Sequence, residues 1–167
     1  LSQSAERHDL QSTLDLVDFR SATTDDIEEI IELFQLFFDD SDLPSLGLRT
    51  DHRRARVWLA NVLGGSNPHI LALTKDEKMP VGVLSYAIDD RGIAEPYAFL
   101  DKFYVRKEWR LSGVARVLLQ LAMDSARDDG AVAFRAGISS GVGFGKNLFI
   151  KTGFHETAGS TLLARRL

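Results

Sequence analysis

With 167 residues, 44% of them hydrophobic and 26% charged, the chain is sized for one domain that buries its own core without staples. The absence of cysteine excludes disulfides, thiolate metal sites and a cysteine nucleophile, and a net charge of −4 argues against a general polyanion binder and so against a nucleic-acid partner. No apolar run approaches a membrane span and the first residues lack the apolar stretch of a signal peptide, so the expectation is a cytoplasmic protein with no membrane partner.

Residues 1–15 are polar and without a hydrophobic period, which reads as a loose arm ahead of a single domain over residues 16–167. Leu16 to Ala22 reads as a strand. Thr24-Asp25-Asp26 then caps a helix whose apolar positions Ile27, Ile30, Ile31, Phe34 and Phe38 keep one face. The acid-rich stretch Asp39 to Gly47 contains turn formers and reads as an exposed loop. A second helix is expected from about Thr50 to Leu63. Arg49, His52, Arg53, Arg54 and Arg56 cluster at its start, and such a run reads first as a solvated face. Strands follow at His69 to Thr74, Val81 to Ile88 and Tyr97 to Val105, separated by turn-forming segments, as in an antiparallel meander.

The next unit carries the chemistry. The third of these strands breaks at a small-residue turn, and a helix begins at Gly113 with apolar residues at Val114, Val117, Leu118, Leu121, Ala122 and then Ser125, the spacing of one buried face. Gly113-Val114-Ala115 forms its first turn. A helix start offers unpaired N–H groups and a partial positive charge, small residues let an anion approach, and Arg110 and Arg116 flank the turn. The plainer reading has Ser112 capping the helix and Gly113 permitting the turn. The helix ends near Asp128-Asp129-Gly130, and a strand follows from Ala131 to Ile138, so the surrounding strand-turn-helix-strand unit suits a phosphate site. The expected class is α/β (α+β): a mixed, mostly antiparallel central sheet with helices on both faces.

Other phosphate and metal motifs fall short. Ser139 to Lys146 lacks the glycine four residues before Gly-Lys and the hydroxyl after it that a nucleotide loop needs, with Ser140 and Asn147 standing there. The turn after the third meander strand has one glycine where a dinucleotide fold wants three. His8, His52, His69 and His155 show no ligand spacing, so no metal is expected.

Arg110-Leu111-Ser112-Gly113-Val114-Ala115 fits the pattern Gln or Arg, two residues, Gly, one residue, Gly or Ala. Together with Phe19 to Asp26, Pro80-Val81-Gly82-Val83-Leu84 and Ile150-Lys151-Thr152-Gly153-Phe154, in that order and spacing, it makes nearly the whole chain resemble the GNAT N-acetyltransferase superfamily. The resemblance implies acetyl-CoA as co-substrate, no metal, and direct acetyl transfer to a primary amine of a small-molecule or protein acceptor. It also implies that the fourth and fifth strands splay, with the pantetheine arm along Phe103, Tyr104 and Val105 and the diphosphate on Arg110, Leu111, Ser112, Gly113, Val114, Ala115 and Arg116. The general base it implies is Asp101, two residues before Phe103 and so expected on the same face, or Glu95 near the start of the strand. Many members carry a tyrosine five residues before the Phe of the Gly-Phe pair as general acid. Phe149 stands there and donates no proton, which leaves water, Tyr104 or Ser140 as substitutes. The same residue supports the alternative of a non-catalytic acyl-CoA-binding sensor or interaction module. In such enzymes the loop between the first two helices borders the acceptor, so its carboxylates are expected to attract a cationic amine. Pairing through the last strands, His155 to Leu163, suggests a homodimer.

Overall fold

The computed structural model describes residues 13–41, 43–65, 69–92, 94–137, 143–157 and 162–166. Reciprocal capping opens the helical segment that follows the first described strand. The Thr23 hydroxyl accepts from the Asp25 N–H, and the Asp26 carboxylate accepts from the Thr23 N–H at 2.8 Å. A 3-10 turn, Thr24–Asp26, leads into α1, Ile27–Asp39. Asp26 is only 5% exposed, and its charge is matched by Arg20 on β1, Val17–Ser21, through bonds of 2.5 and 2.7 Å. The buried carboxylate thereby joins helix start to strand.

The remaining helices are α2, His52–Leu63, α3, Val114–Asp128, and α4, Gly143–Lys151; the remaining strands are β2, His69–Thr74, β3, Pro80–Asp89, β4, Tyr97–Val105, β5, Ala133–Gly137, β6, His155–Glu156, and β7, Leu162–Arg166. The strands form one sheet in the order β1-β2-β3-β4-β5-β7-β6, antiparallel throughout except between β4 and β5. That parallel pair is joined through α3, the crossover that parallel strands require. Among the described residues no helix is long and apolar enough to cross a membrane, and no group of three or more metal-ligating side chains gathers.

Helices cover both faces. On one, Val114, Leu118, Leu119, Ala122, Met123 and Ala126 of α3 pack on Leu84, Tyr86, Ala98 and Phe134, with Phe149 of α4. On the other, Ile30, Ile31 and Leu33 of α1 and Leu59 of α2 pack on Leu71, Leu73, Val83 and Tyr104. The buried stripe of α3 is turned from the one expected: Leu119, Met123 and Ala126 are buried, while Val117 and Ser125 are half-buried and Leu121 is exposed. Both stripes share Val114, Leu118 and Ala122, so apolar spacing alone left the rotation undecided. Leu33 likewise joins the α1 core, with Phe34 and Phe38 only half-buried.

Two irregularities in β4 shape the site. Ser85 pairs with Lys102 and Tyr86 with Leu100, which leaves Asp101 as an extra residue in a β-bulge. Beyond the parallel pairs Tyr97↔Ala133, Ala98↔Phe134 and Phe99↔Arg135, β4 and β5 part. The last half of β4 therefore has no neighbour on that side from β5.

Arg20 holds the Asp26 carboxyl below its ordinary range, with the Thr23 N–H helping and burial opposing. The stability this adds is complete above the ordinary aspartate pKa and is lost as pH falls through the depressed value. Asp26→Asn is expected to lower stability by about 2 kcal/mol near neutral pH, and the midpoint by roughly 4–8 °C. The gap between the two proteins should narrow as the pH is taken from neutral down through the depressed aspartate value. Denaturant curves at neutral and acid pH check this; an equal gap at both would contradict it.

Candidate active site

The turn after β4 is braced before it opens. The Arg106 N–H bonds to the Val81 carbonyl at 2.9 Å, and its guanidinium binds the Pro80 carbonyl and Glu32 of α1. A 3-10 turn, Lys107–Trp109, follows. The Ser112 hydroxyl donates to the Trp109 carbonyl at 2.5 Å and so closes this turn. Its oxygen lies 3.5 Å from the Val114 nitrogen, too far for an effective cap, so Ser112 does not cap α3. Gly113 occupies the N-cap position at φ 93°, where a Cβ would sit 3.3 Å from Leu14 Cδ1. A side chain is disfavoured there by conformation as well as by space. Leu14 belongs to the stretch expected to be a loose arm, yet it packs beside the turn, and the Leu16 carbonyl accepts from the Lys75 N–H at 2.9 Å.

The first amide of α3 to reach a backbone carbonyl is that of Val117, on Gly113 at 3.1 Å. The N–H groups of the first turn before it have no helical acceptor. Two other starts are served by side chains: Asp51 accepts from the Arg54 N–H at 3.0 Å ahead of α2, and Thr23 with Asp26 caps the 3-10 turn that leads into α1. The first turn of α3 has neither a side-chain cap nor an acidic residue. Its partial positive charge is thus left for an external anion, and the residues present fit a diphosphate.

The two flanking arginines differ. Arg110 donates from Nε to the Val105 carbonyl at 3.1 Å and from Nη2 to Asp40 at 2.9 Å, with its guanidinium 5.5 Å from the centre of the Tyr104 ring. Arg116 is exposed and has no hydrogen bond or ion pair among the described residues. Asp40, at the end of α1, also receives the Tyr104 hydroxyl at 3.0 Å and Lys107 Nζ at 2.6 Å. Burial raises its pKa, but the bonds from Lys107, Tyr104 and Arg110 outweigh this and hold the carboxyl below its usual value. Burial and Asp40 together push the Tyr104 phenol up to about 12. Tyr104 faces α1 with its proton on Asp40 and is not positioned as a substitute acid; Ser140 lies outside the described residues.

Where β4 and β5 part, a run of aromatic rings fills one face. Tyr86 meets Phe134 at 5.5 Å, Phe134 meets Phe154 at 6.2 Å, Phe154 meets Phe149 at 5.1 Å, and Phe149 meets Phe103 at 6.2 Å. Phe149 is 4% exposed, so a ring without a hydroxyl at this point is core.

The bulge corrects the expected placing of Asp101. Ala98 and Leu100, then Phe103 and Val105, belong to the core under α3, a change of parity that one extra residue produces. Asp101 therefore does not share a face with Phe103. It is exposed and paired with Lys102 at 2.8 Å, while Glu95 is exposed just before β4. The acidic loop is also less available than expected: Asp39 accepts from Gln35 at 2.7 Å, Asp40 is engaged as above, and Asp42 lies outside the described residues. Asp40 escaped sequence reasoning because its partners lie 64 to 70 positions away.

Leu111 adopts φ 67° with 83% of its surface exposed. A left-handed conformation costs a non-glycine residue roughly 1–2 kcal/mol, against roughly 0.5–1 for the extra freedom of an unfolded glycine. Leu111→Gly is expected to raise stability by about 0.5–1 kcal/mol, read by thermal denaturation. A lower midpoint would show that the leucine side chain stabilises the turn.

The Acetyltransferase (GNAT) family model matches residues 27–142. Solved structures of similar fold include a probable acetyltransferase at 23% identity and TM-score 0.73, covering 84% of this chain and 91% of its own. The PaiA N-acetyltransferase of Thermoplasma acidophilum, in complex with coenzyme A, aligns at 15% identity and TM-score 0.67 over 90% and 99%. The ribosomal-protein-alanine N-acetyltransferase of Brucella melitensis aligns at 20% identity and TM-score 0.71 over 90% and 99%. No curated protein matches the chain in sequence. With a matched segment that spans β2 to β5, the uncapped start of α3 and the fork in the sheet, the chain belongs to the GNAT acetyltransferase family.

Proposed function

We propose that the protein is an acetyl-CoA-dependent N-acetyltransferase that moves the acetyl group directly to a primary amine. One observation carries the reading: an acid-free, uncapped helix start stands at the mouth of a fork between two parallel strands. The first-turn amides of α3 and Arg116 take the diphosphate, while Arg110 keeps the turn in place through Asp40 and the Val105 carbonyl. The unpaired edge of β4 from Phe103 to Val105 accepts the amide-bearing pantetheine arm, less the Val105 carbonyl that Arg110 occupies. Family membership and the coenzyme A in the PaiA structure support this choice of co-substrate.

The acetyl thioester supplies an activated acyl carbon and a thiolate leaving group. The chain's own work is orientation, which contributes roughly 7–11 kcal/mol to such transfers, and removal of the amine proton. Asp101 at the bulge is the candidate base, with Glu95 as the alternative. No proton donor stands at Phe149, so the thiolate takes its proton from water; a positioned acid contributes about 10²- to 10⁴-fold, and transfer proceeds more slowly without it. The buried Phe149 is also what favours a second reading, an acyl-CoA-binding sensor.

Calorimetric titration with acetyl-CoA is expected to show saturable binding that Arg116→Glu weakens by about 10- to 100-fold, the size of one lost charge-assisted contact plus repulsion. Arg116 is the better probe because any side chain at Gly113 also disturbs the fold. Undiminished binding in the variant would remove Arg116 from the site, and no binding by the natural sequence would contradict the reading. Release of free coenzyme A with a panel of primary amines separates the enzyme, which turns over, from the sensor, which binds and stays inert.

A further inference from the structure

The face of the fork opposite the aromatic core carries a set of side chains that the cofactor does not use. Ala98 and Leu100 of β4, and Phe134 and Ala136 of β5, point into the core under α3. Tyr97, Phe99 and Arg135 therefore share the other face, and Phe99 and Arg135 are the last paired residues before the strands part. Phe99 is 39% exposed and makes no ring contact among the described residues. Arg135 has no carboxylate partner among the described residues; its guanidinium lies 5.2 Å from the centre of the Tyr97 ring. Tyr97 is itself fixed, with its hydroxyl on Asp89 at 2.7 Å.

This arrangement has a chemical reading. A guanidinium held against a ring, with no carboxylate already on it, keeps planar N–H groups that suit a carboxylate bound through two parallel bonds. An exposed aromatic ring beside it offers an apolar surface. Two residues along, at the bulge, Asp101 is held only by an exposed pair with Lys102, worth at most about 1 kcal/mol and readily exchanged for an incoming amine.

Resting on the acetyltransferase reading above, we infer that the acceptor is an amine that also carries a carboxylate next to an apolar group, as in a free apolar amino acid. Arg135 binds the carboxylate, Phe99 carries the apolar side chain, and the amine turns toward Asp101 and the thioester. The amine nitrogen bonds to the acetyl carbon and the carbon–sulfur bond breaks. The displaced thiolate is protonated by water, and the ammonium proton passes to the carboxylate or solvent, giving an N-acetyl amino acid and free coenzyme A. Of the charged groups on this face, Arg135 sets a preference for an anionic acceptor, in contrast to the cationic acceptor that the acidic loop suggested.

The test measures coenzyme A release from acetyl-CoA with matched acceptors: phenylalanine against phenylalaninamide, and leucine against leucinamide. The carboxylates are expected to exceed their amides in kcat/KM by at least about tenfold. Arg135→Gln should bring that ratio toward one by raising KM for the carboxylates while their kcat is kept, and Arg135→Lys should retain part of the preference. A merely structural role would lower turnover of both members alike. Amides turned over as well as carboxylates, or no turnover of any member by protein that binds acetyl-CoA, would overturn the inference. Failure to bind acetyl-CoA would instead overturn the acetyltransferase reading on which it rests.

Discussion

The rest of the site depends on a strand pair that stops after three residues. Between Tyr97 and Phe99 β4 lies against β5, and beyond Phe99 the two diverge, leaving backbone donors and acceptors of β4 without that neighbour. In a sheet interior such an edge is costly unless something else fills the gap. Under α3 the filler is aromatic: Phe149 touches Phe103 on one side and Phe154 on the other, and Phe154 reaches Phe134 on β5. The rings close the face of the fork that lies under α3. On the proposed reading, the acyl carrier lies along β4 with its charged end at α3 and its reactive end at the divergence.

The charged end is kept in shape by groups distant in the chain. Asp40 gathers Tyr104, Lys107 and Arg110, so the end of α1 is tied to the end of β4 and to the residue that opens the turn before α3. Arg106 makes a parallel tie through Glu32 and the Pro80 carbonyl. Both ties use charges that composition alone would assign to solvent or to ligand. Their effect is to fix the segment between β4 and α3 against α1 and the start of β3.

Much of this was legible in the sequence, and the failures share a cause. Strand and helix limits agree closely because the signals that set them are local: the Thr24-Asp25-Asp26 run before α1 and Gly113 before α3, although the capping hydroxyl proves to be that of Thr23. The rotation of α3 was not legible, because two apolar stripes compete on it and only the sheet beneath decides between them. One stripe runs through Val117, Leu121 and Ser125, the other through Leu119, Met123 and Ala126. The bulge at Asp101 leaves no mark in a period-2 pattern, and one inserted residue reverses which side chains beyond it share a face. Asp40 reads as loop acidity, because an ion pair across 70 positions leaves no local trace. Leu14 read as part of a loose arm because one apolar side chain has no period.

That the fork and the start of α3 form one binding surface for coenzyme A is tested most directly by backbone amide resonances, followed by NMR during titration with coenzyme A. The amides of Phe103 to Val105 and of Leu111 to Arg116 are expected to shift together along one saturation curve, while those of β1 and α2 stay in place. Shifts confined to another surface, or shifts at the turn with none along β4, would contradict it.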